Sequence, residues 1–288
     1  MKTVATHDGP FHADDVFSIA SLEILFGEIS VLRTRNIEKL KTADIVVDVG
    51  REYNPETFRF DHHQALMYRD NKIPYAGFGL VWKHFGKEIA GGEEEARLIE
   101  DKLVLPIDAG DNGVAISTPL FPGILPYTVS SLVSSFEPAH TEEGRNFDSA
   151  FSEAVSFAKQ ILQREITQAK AFVNTKKVVA KVYENAENKS LLIFDDYFTG
   201  MVKAVGQYPD VLFIISPYNK SEGSWALRAI KKGEGTFENR KNLPESWAGK
   251  EGEELEKVTG VAGAKFCHLK RFVAFTGDKE SALALAKI

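Results

Sequence analysis

The stretch of sequence that decides the fold is residues 3–26, TVATHDGPFHADDVFSIASLEILF. Its short apolar start predicts a strand ending at His7, and the Asp-Gly-Pro that follows predicts a loop. From Asp14 to Phe26, apolar residues recur at helical spacing, with Asp14 or Asp15 placed to cap the helix. This segment therefore predicts a strand, a loop and a helix in succession.

The same alternation continues beyond the first helix. Extended runs at residues 29–35 and 45–48 flank a short helical segment at 37–40. Strands that alternate with helices are typical of a parallel sheet covered by helices. The fold class predicted for the N-terminal part is therefore α/β. A helical segment follows, with one helix at 93–105 and a long one at 147–173.

A second domain is predicted after Lys176, where the sequence pattern changes from helical spacing to strand-like runs. Strand-like runs separated by turn residues lie at 178–182, 191–194, 211–215, 225–230 and 271–275. We expect a catalytic, metal-binding domain over residues 1–172. A smaller α/β or α+β domain over residues 173–288 is expected to bind substrate.

Composition limits the classes of protein that this chain can represent. The 288 residues are 43% hydrophobic and 26% charged, as in a globular protein, and the net charge of −6 argues against a non-specific coat on nucleic acid. One cysteine excludes an internal disulfide framework. Without a signal-peptide pattern or a long apolar span, we expect a cytoplasmic protein with no membrane partner; a homo-oligomer is left open.

Histidines and carboxylates are concentrated at the ends of the predicted strands. Besides the first segment, Val47-Asp48-Val49-Gly50 follows one strand and Phe60-Asp61-His62-His63-Gln64 follows another. Ligands of parallel sheets bind beyond the carboxyl ends of the strands, so these segments are expected to converge on one crevice. Four of the seven histidines lie in the first and last of these segments beside carboxylates, a pattern that favours metal binding over core packing.

Residues 107–113 add two further carboxylates, Asp108 and Asp111. Imidazole and carboxylate ligands in this number suit two divalent ions such as Mn²⁺ or Mg²⁺. Taken singly, each Asp has an ordinary alternative as a helix cap or a turn residue. The adjacent His62 and His63 are harder to explain in that way, because neighbours on an extended segment face opposite sides and both need partners.

These motifs resemble those of the Myg (melanocyte-proliferating-gene type) family, within the DHH phosphoesterase superfamily. Members of this family are described as metal-dependent hydrolases with 3′-to-5′ RNA exonuclease activity. The resemblance extends over the whole chain, with later similarities such as Trp225-Ala226-Leu227-Arg228. One departure from the superfamily is that Phe11 and Ala13 stand where its first motif has carboxylates. His12 and Asp14 each lie one residue later, so the loop is one residue longer.

The resemblance implies roles for individual residues. Asp48 resembles the carboxylate that bridges two metal ions, and His63 the histidine near the scissile phosphate. Asp61 beside it is expected either to orient an imidazole or to be a further ligand, and His63 and Asp61 are the expected catalytic residues. Asp108 and Asp111 compete for the fourth-motif ligand, and Asp111 is favoured. The remaining expected ligands are His7, His12, Asp14 and His62.

The function expected from the resemblance is that of a metal-dependent phosphoesterase. It would be a 3′-to-5′ exonuclease on RNA or short oligonucleotides, using water activated by two Mn²⁺ ions, with Mg²⁺ as the alternative. One alternative function is a phosphatase or pyrophosphatase of a small metabolite, and another is a catalytically silent metal- or nucleotide-binding regulator. Cations predicted to contact substrate phosphates are Arg33, Arg35, Arg228, Lys265, His268, Lys270 and Arg271.

Overall fold

The chain forms two compact units. The computed structural model describes residues 1–219, 221–233 and 235–288. One unit covers Met1–Lys170 and the other Ala171–Ile288, and each is described below by itself. Within the described residues, no helix combines the length and the apolar character that crossing a bilayer requires.

The first unit is built on a five-stranded sheet. Its strands are β1 (Lys2–Thr6), β2 (Ile29–Arg33), β3 (Ile45–Val47), β4 (Tyr53–Asn54) and β5 (Arg59–Phe60). They lie in the order β2-β1-β3-β5-β4, and every pairing is parallel except the edge pair β4 and β5. The predicted α/β class is confirmed. The consequence for function is that β1, β3 and β5 are neighbours whose carboxyl ends share one edge of the sheet.

Helices complete the first unit. They are α1 (Ala13–Phe26), α2 (Ile37–Leu40), α3 (Gly77–Ala90), α4 (Glu93–Ile99), α5 (Leu105–Asp111), α6 (Val129–Ser134) and the start of α7 (Phe147–Asn185). The first ten residues of α1 are all buried, so it is a core helix rather than an amphipathic surface helix. Phe17 of α1 meets Phe78 of α3 with ring centroids 5.5 Å apart.

One helical boundary differs from the prediction. The expected helix at 93–105 would leave Asp108 in a following loop, but Asp108 lies within α5. A π-helical turn at Glu100–Val104 joins α4 to α5, so the chain continues as a helix. Pro106, which interrupts the sequence pattern, is tolerated because it lies in the first turn of α5.

The second unit carries its own five-stranded sheet. Its strands are β6 (Leu191–Ile193), β7 (Phe213–Asn219), β8 (Ser224–Ala229), β9 (Ala264–Cys267) and β10 (Val273–Thr276), in the order β6-β7-β8-β10-β9. Only the β6–β7 pair is parallel. The rest of α7, α8 (Met201–Val205), α9 (Gly252–Thr259) and α10 (Lys279–Leu285) complete the unit, which is therefore of the mixed type expected.

The strand predicted at 178–182 is wrong, because these residues continue α7 to Asn185. The β-branched residues Val178, Val179 and Val182 favour a strand by propensity alone. At helical spacing, however, they pack into the core beside Leu192 and Ile214. Tertiary packing thus outweighs the local preference.

Candidate metal centre

The predicted site residues converge at the carboxyl edge of the first sheet. His7 directly follows β1, Asp48 follows β3, and the Asp61-His62-His63 segment follows β5. Asp48 has a left-handed backbone with φ of 55°, which is unusual for a residue other than glycine. Such strain persists only where the surroundings hold it, and it is concentrated at functional sites.

The carboxylate of Asp48 lies between two histidines. Its Oδ2 is 3.4 Å from Nε2 of His7, and its Oδ1 is 3.2 Å from Nε2 of His62. Burial opposes ionisation of this group, but the neighbouring imidazoles of His62 and His7 outweigh it and lower the pKa of Asp48 to about 2. A buried carboxylate that presents each oxygen to a different ligand is suited to bridge two ions.

The start of α1 supplies two carboxylates with different surroundings. Asp15 accepts the backbone N–H of His12 through Oδ1 at 2.9 Å, and its Oδ2 lies 3.3 Å from Nε2 of His7. Asp14 is fully buried, and its Oδ2 accepts the backbone N–H of Gly77 at 3.1 Å. Asp15 therefore caps the start of α1 by accepting from the N-cap residue His12, and it also lies at the site, beside His7.

Two groups of potential ligand atoms lie side by side. In each group the atoms are within 4.8 Å of one another, and the groups are Asp48, His62, His63 and His12, Asp14, Asp111. Asp111 connects them, because its Oδ2 is 3.3 Å from Nε2 of His62 and its Oδ1 is 3.7 Å from Nδ1 of His12. The geometry thus offers two adjoining places for a divalent cation.

Several of these polar atoms have no hydrogen-bond partner in the described part of the chain. They are buried, and they are Oδ1 of Asp14, Oδ2 of Asp15, Oδ1 of Asp48 and Nε2 of His62. Burial, together with repulsion from Asp48 and Asp111, raises the pKa of Asp14 well above its usual range. Buried carboxylates without a counter-charge are costly. A divalent cation would remove that cost, so the residues fit a bound Mn²⁺ or Mg²⁺.

His63 is oriented by Asp61. The Oδ1 of Asp61 accepts hydrogen bonds from the backbone N–H of His63 at 2.9 Å and from Nδ1 of the His63 ring at 2.7 Å. Its Oδ2 accepts a hydrogen bond from the backbone N–H of Arg51 at 2.6 Å. The side-chain hydrogen bond with Asp61 raises the pKa of His63, whose side chain is 54% exposed. Asp61 thus has both oxygens engaged, and the orienting role fits it better than the ligand role.

The structure separates the two candidates for the fourth motif. Asp108 is fully buried. Its Oδ2 accepts a hydrogen bond from Nη2 of Arg69 at 2.7 Å, and its Oδ1 accepts one from the backbone N–H of Gly79 at 3.0 Å. Burial raises the pKa of Asp108 to about 7 despite the charge of Arg69. Both oxygens are occupied within the fold, so the expected ligand role of Asp108 is corrected to a structural one, and Asp111 is favoured as the ligand.

The glycines that admit these carboxylates were not predicted from the sequence. A Cβ at Gly79 would collide with Asp108 and Arg69, and a Cβ at Gly77 would stand 3.0 Å from Cβ of Asp48 and 3.1 Å from Oδ2 of Asp14. Only a residue without a side chain allows this approach. The signal available in the sequence was the Gly-Phe-Gly at residues 77–79, where α3 begins.

Arg33 was expected to contact substrate, and the structure corrects this. Its side chain is 4% exposed, pairs with Asp148 at 2.7 Å, and donates from Nη2 to the carbonyl of Gly9 at 2.6 Å. The guanidinium lies 5.7 Å from the ring centroid of Phe11 and 4.5 Å from that of Phe151. Arg33 therefore fixes the loop that carries His12.

The other predicted phosphate contacts keep their exposed or half-buried positions. Arg35 is exposed and lies 3.3 Å from a carboxylate oxygen of Asp8. In the second unit, Lys265 and Lys270 are exposed, while Arg228, His268 and Arg271 are half-buried. Their role in substrate binding stays a prediction.

Replacing Arg33 by Met is expected to weaken Mn²⁺ binding about tenfold, because groups that orient metal ligands typically contribute that much. The variant keeps apolar contact with Phe11 and Phe151 but loses the bond to Gly9. Titration calorimetry with Mn²⁺ measures the effect. Arg35→Met, which removes an exposed cation, is the control; equal affinities of both variants and the parent would contradict the role given to Arg33.

The fold and the site together define a class of protein, namely an α/β protein with a buried histidine and carboxylate cluster suited to divalent cations. The family model MYG1_exonuc, described as an uncharacterised protein family (UPF0160), matches residues 3–288. The chain belongs to this family, and the resemblance stated from the motifs is confirmed. The predicted enzyme class, a metal-dependent hydrolase, agrees with this membership.

Individual relatives cover almost the whole chain. The MYG1 exonuclease of Mus musculus is 27% identical over 321 residues, covering 99% of this chain and 83% of the relative. The MYG1 protein of Chlamydia pneumoniae is 32% identical over 293 residues, covering 97% and 93%. A solved structure, RecJ from Thermus thermophilus in complex with Mn²⁺, matches the whole chain and 52% of its own length at 12% identity. Its TM-score is 0.28, which is a low overall similarity.

Proposed function

We propose that this chain is a two-metal phosphodiesterase that removes nucleotides from the 3′ end of RNA or short oligonucleotides. The observation that carries the proposal is the pair of adjoining ligand groups, which meet where Nε2 of His62 lies 3.2 Å from Asp48 of one group and 3.3 Å from Asp111 of the other. When bound, divalent ions polarise phosphoryl oxygens and lower the pKa of water. The names of the mammalian relatives, which are called exonucleases, support the nuclease class.

The residues of the chain divide the work. Asp48, held by His7 and His62, and Asp111, close to His12 and His62, would hold the two cations. Fixed positions matter because catalysis by metal ions depends on stabilising charge where it develops. Buried Asp14 would add a carboxylate ligand on the side of His12 when a cation is bound.

His63 lies in one of the two ligand groups, but its Nδ1 is bonded to Asp61, and we assign it the role of proton donor rather than that of metal ligand. Its hydrogen bond to Asp61 raises its pKa, so the ring carries its proton more readily near neutral pH. The side chain is half exposed, which leaves it accessible to a phosphodiester held at the cations. We infer that His63 donates to the leaving oxygen, and that Asp61 fixes the ring orientation.

A labelled RNA tests the proposal. With Mn²⁺, a single-stranded RNA carrying a 5′ label is expected to yield a ladder of shortened labelled products, because removal from the 3′ end preserves the label. Immediate release of labelled mononucleotide would instead indicate the opposite polarity. Matched DNA of the same sequence distinguishes the two sugars.

Two controls make this test decisive. Asp101→Asn changes an exposed carboxylate of the same unit and is expected to leave the ladder unchanged. Asp111→Asn is expected to abolish it. Inertness towards RNA and DNA, combined with phosphate release from small phosphomonoesters, would overturn the nuclease assignment in favour of a metabolite phosphatase.

A further inference from the structure

Aromatic side chains form a continuous strip across one face of the second sheet. Tyr218 of β7 and Phe275 of β10 have ring centroids 4.4 Å apart, and Phe275 and Phe266 of β9 are stacked at 6.3 Å with an interplanar angle of 18°. His268, just after β9, continues the row with its ring 6.4 Å from that of Phe266. These four residues are called the aromatic strip below.

The register of the sheet explains how the strip is assembled. Ser216 pairs with Ala226, Ala226 with Phe275, and Phe275 with Phe266, so these paired side chains lie on one face. Tyr218 follows Ser216 at an irregularity in the register of β7 and β8, and its ring contacts Phe275. Ser216 and Ala226 are small and fully buried. Because they are small, Tyr218 reaches across β8 to contact Phe275.

The opposite face of this sheet is already covered. There, Leu227, Cys267 and Ala274 form a core with residues of α9 and α10, including Leu255 and Leu285. On the strip side, by contrast, Tyr218 remains 58% exposed. The exposed ring of Tyr218, in contact with the rest of the strip, leaves an aromatic surface that a flat ligand could cover.

A cation lies beside the rings. The guanidinium of Arg228 is 5.6 Å from the ring centroid of Tyr218 and 5.8 Å from that of Phe275. Its Nε is buried and has no hydrogen-bond partner among the described residues, and the same is true of the hydroxyls of Ser216 and Ser224. A face that combines one exposed ring, half-buried neighbouring rings and an incompletely bonded guanidinium matches a ligand that has both a flat ring and a phosphate.

We propose that the aromatic strip binds single-stranded nucleic acid by stacking nucleobases on Tyr218 and Phe266, with Arg228 contacting a phosphate. Base stacking on aromatic side chains is tolerant of sequence, which suits an enzyme that processes strands of any sequence. The inference rests on the proposed nuclease function and adds the place where the second unit holds the strand. It also gives Arg228 and His268 a shared setting, because both lie along the same strip.

Binding measurements on the full chain test the strip directly. The parent is the Asp48→Asn variant, chosen to prevent turnover, and the probe is a fluorescent single-stranded RNA followed by anisotropy. Tyr218→Ala and Phe266→Leu are each expected to weaken binding on the order of tenfold, which corresponds to about 1.4 kcal/mol. The slope of log affinity against log salt should stay unchanged, because no phosphate contact is lost.

Arg228→Met is the complementary variant. It should lower affinity and also reduce the salt slope by about one, the signature of a lost phosphate contact. Phe237→Ala, which removes a ring that is 87% exposed in the same unit, is the matched control and should bind as the parent does.

An abasic oligonucleotide separates stacking from general loss of structure. Without bases, the parent and Tyr218→Ala should bind equally weakly. The proposed role of the strip would be overturned if the parent and both ring variants bound normal RNA with equal affinity. It would also be overturned if the ring variants lost as much affinity for the abasic strand as for normal RNA. The nuclease proposal is tested separately with bis(p-nitrophenyl) phosphate, a phosphodiester too small to need the strip. If the unaltered protein does not hydrolyse it in the presence of Mn²⁺, the nuclease proposal fails.

Discussion

The Asp48→Ala variant is expected to lose bound Mn²⁺ and to hydrolyse phosphodiesters on the order of a thousandfold more slowly. Asp48 is buried and belongs to one ligand group, and its neighbour His62 lies 3.3 Å from Asp111 of the other group, so the loss of Asp48 is expected to disturb both. Charge stabilisation by bound metal contributes several kcal/mol, and each 1.36 kcal/mol is a factor of about ten in rate. Elemental analysis of metal per chain and initial rates on labelled RNA measure the two effects.

Asp48→Asn isolates the charge from the backbone strain. Asn tolerates the left-handed conformation at this position better than Ala does, and its size is that of Asp. We expect metal loss in both variants, with folding better preserved in Asp48→Asn. Unchanged metal content and activity in both would show that the cluster at the sheet edge is not the catalytic centre.

Replacing Arg69 by Ala is expected to lower the free energy of unfolding by about 3 to 5 kcal/mol, the usual cost of leaving one partner of a buried ion pair alone. Arg69 is the partner of Asp108 at 2.7 Å, and it also contacts Glu100 at 2.9 Å. Urea denaturation measures the loss.

The destabilisation in Arg69→Ala should increase with pH. Burial already raises the pKa of Asp108 in the folded state to about 7, above its usual value, so folding favours the protonated form. Ionisation of Asp108 therefore lowers stability as the pH rises towards and through that value. Without Arg69 the ionised form loses its partner. Relative to the unaltered protein, the variant should lose the least unfolding free energy near pH 5, where Asp108 can be protonated, and the most near pH 8.

The double variant Arg69→Met/Asp108→Asn is the control for this prediction. It removes both charges, while the amide oxygen introduced at position 108 can still accept the N–H of Gly79, so it should recover much of the lost stability. Asp108→Asn alone should leave Mn²⁺ binding in place, whereas Asp111→Asn should weaken it strongly. The opposite pattern would return the ligand role to Asp108.

Much of the site could be predicted because its chemistry is local in the sequence. His7, Asp48 and the Asp61-His62-His63 segment each follow an apolar run directly, and parallel strands bring their carboxyl ends to one edge. The alternation of strands and helices likewise predicted the α/β class. Adjacent imidazoles beside carboxylates then pointed to metal without any knowledge of distances.

Choices that depend on contacts between distant residues could not be made in this way. Asp108 and Asp111 are one helical turn apart, and what separates them is Arg69, which lies 39 positions before Asp108 in the chain. Arg33 became a loop-fixing residue only through Asp148 and Phe151, which are far along the sequence. For Val179, burial against Ile214 decided between helix and strand.

The sequence by itself determined the metal-binding character of this protein, since the residue types and their positions at strand ends specify the ligand chemistry. The tertiary structure alone decided which carboxylates face the candidate metal centre and which are bonded to other groups of the fold. The reason is that a buried carboxylate bonds to the nearest donor or cation, and packing brings together residues that are far apart in the sequence. The aromatic strip illustrates the same point, because Tyr218, Phe266 and Phe275 become neighbours only through the register of the strands that carry them.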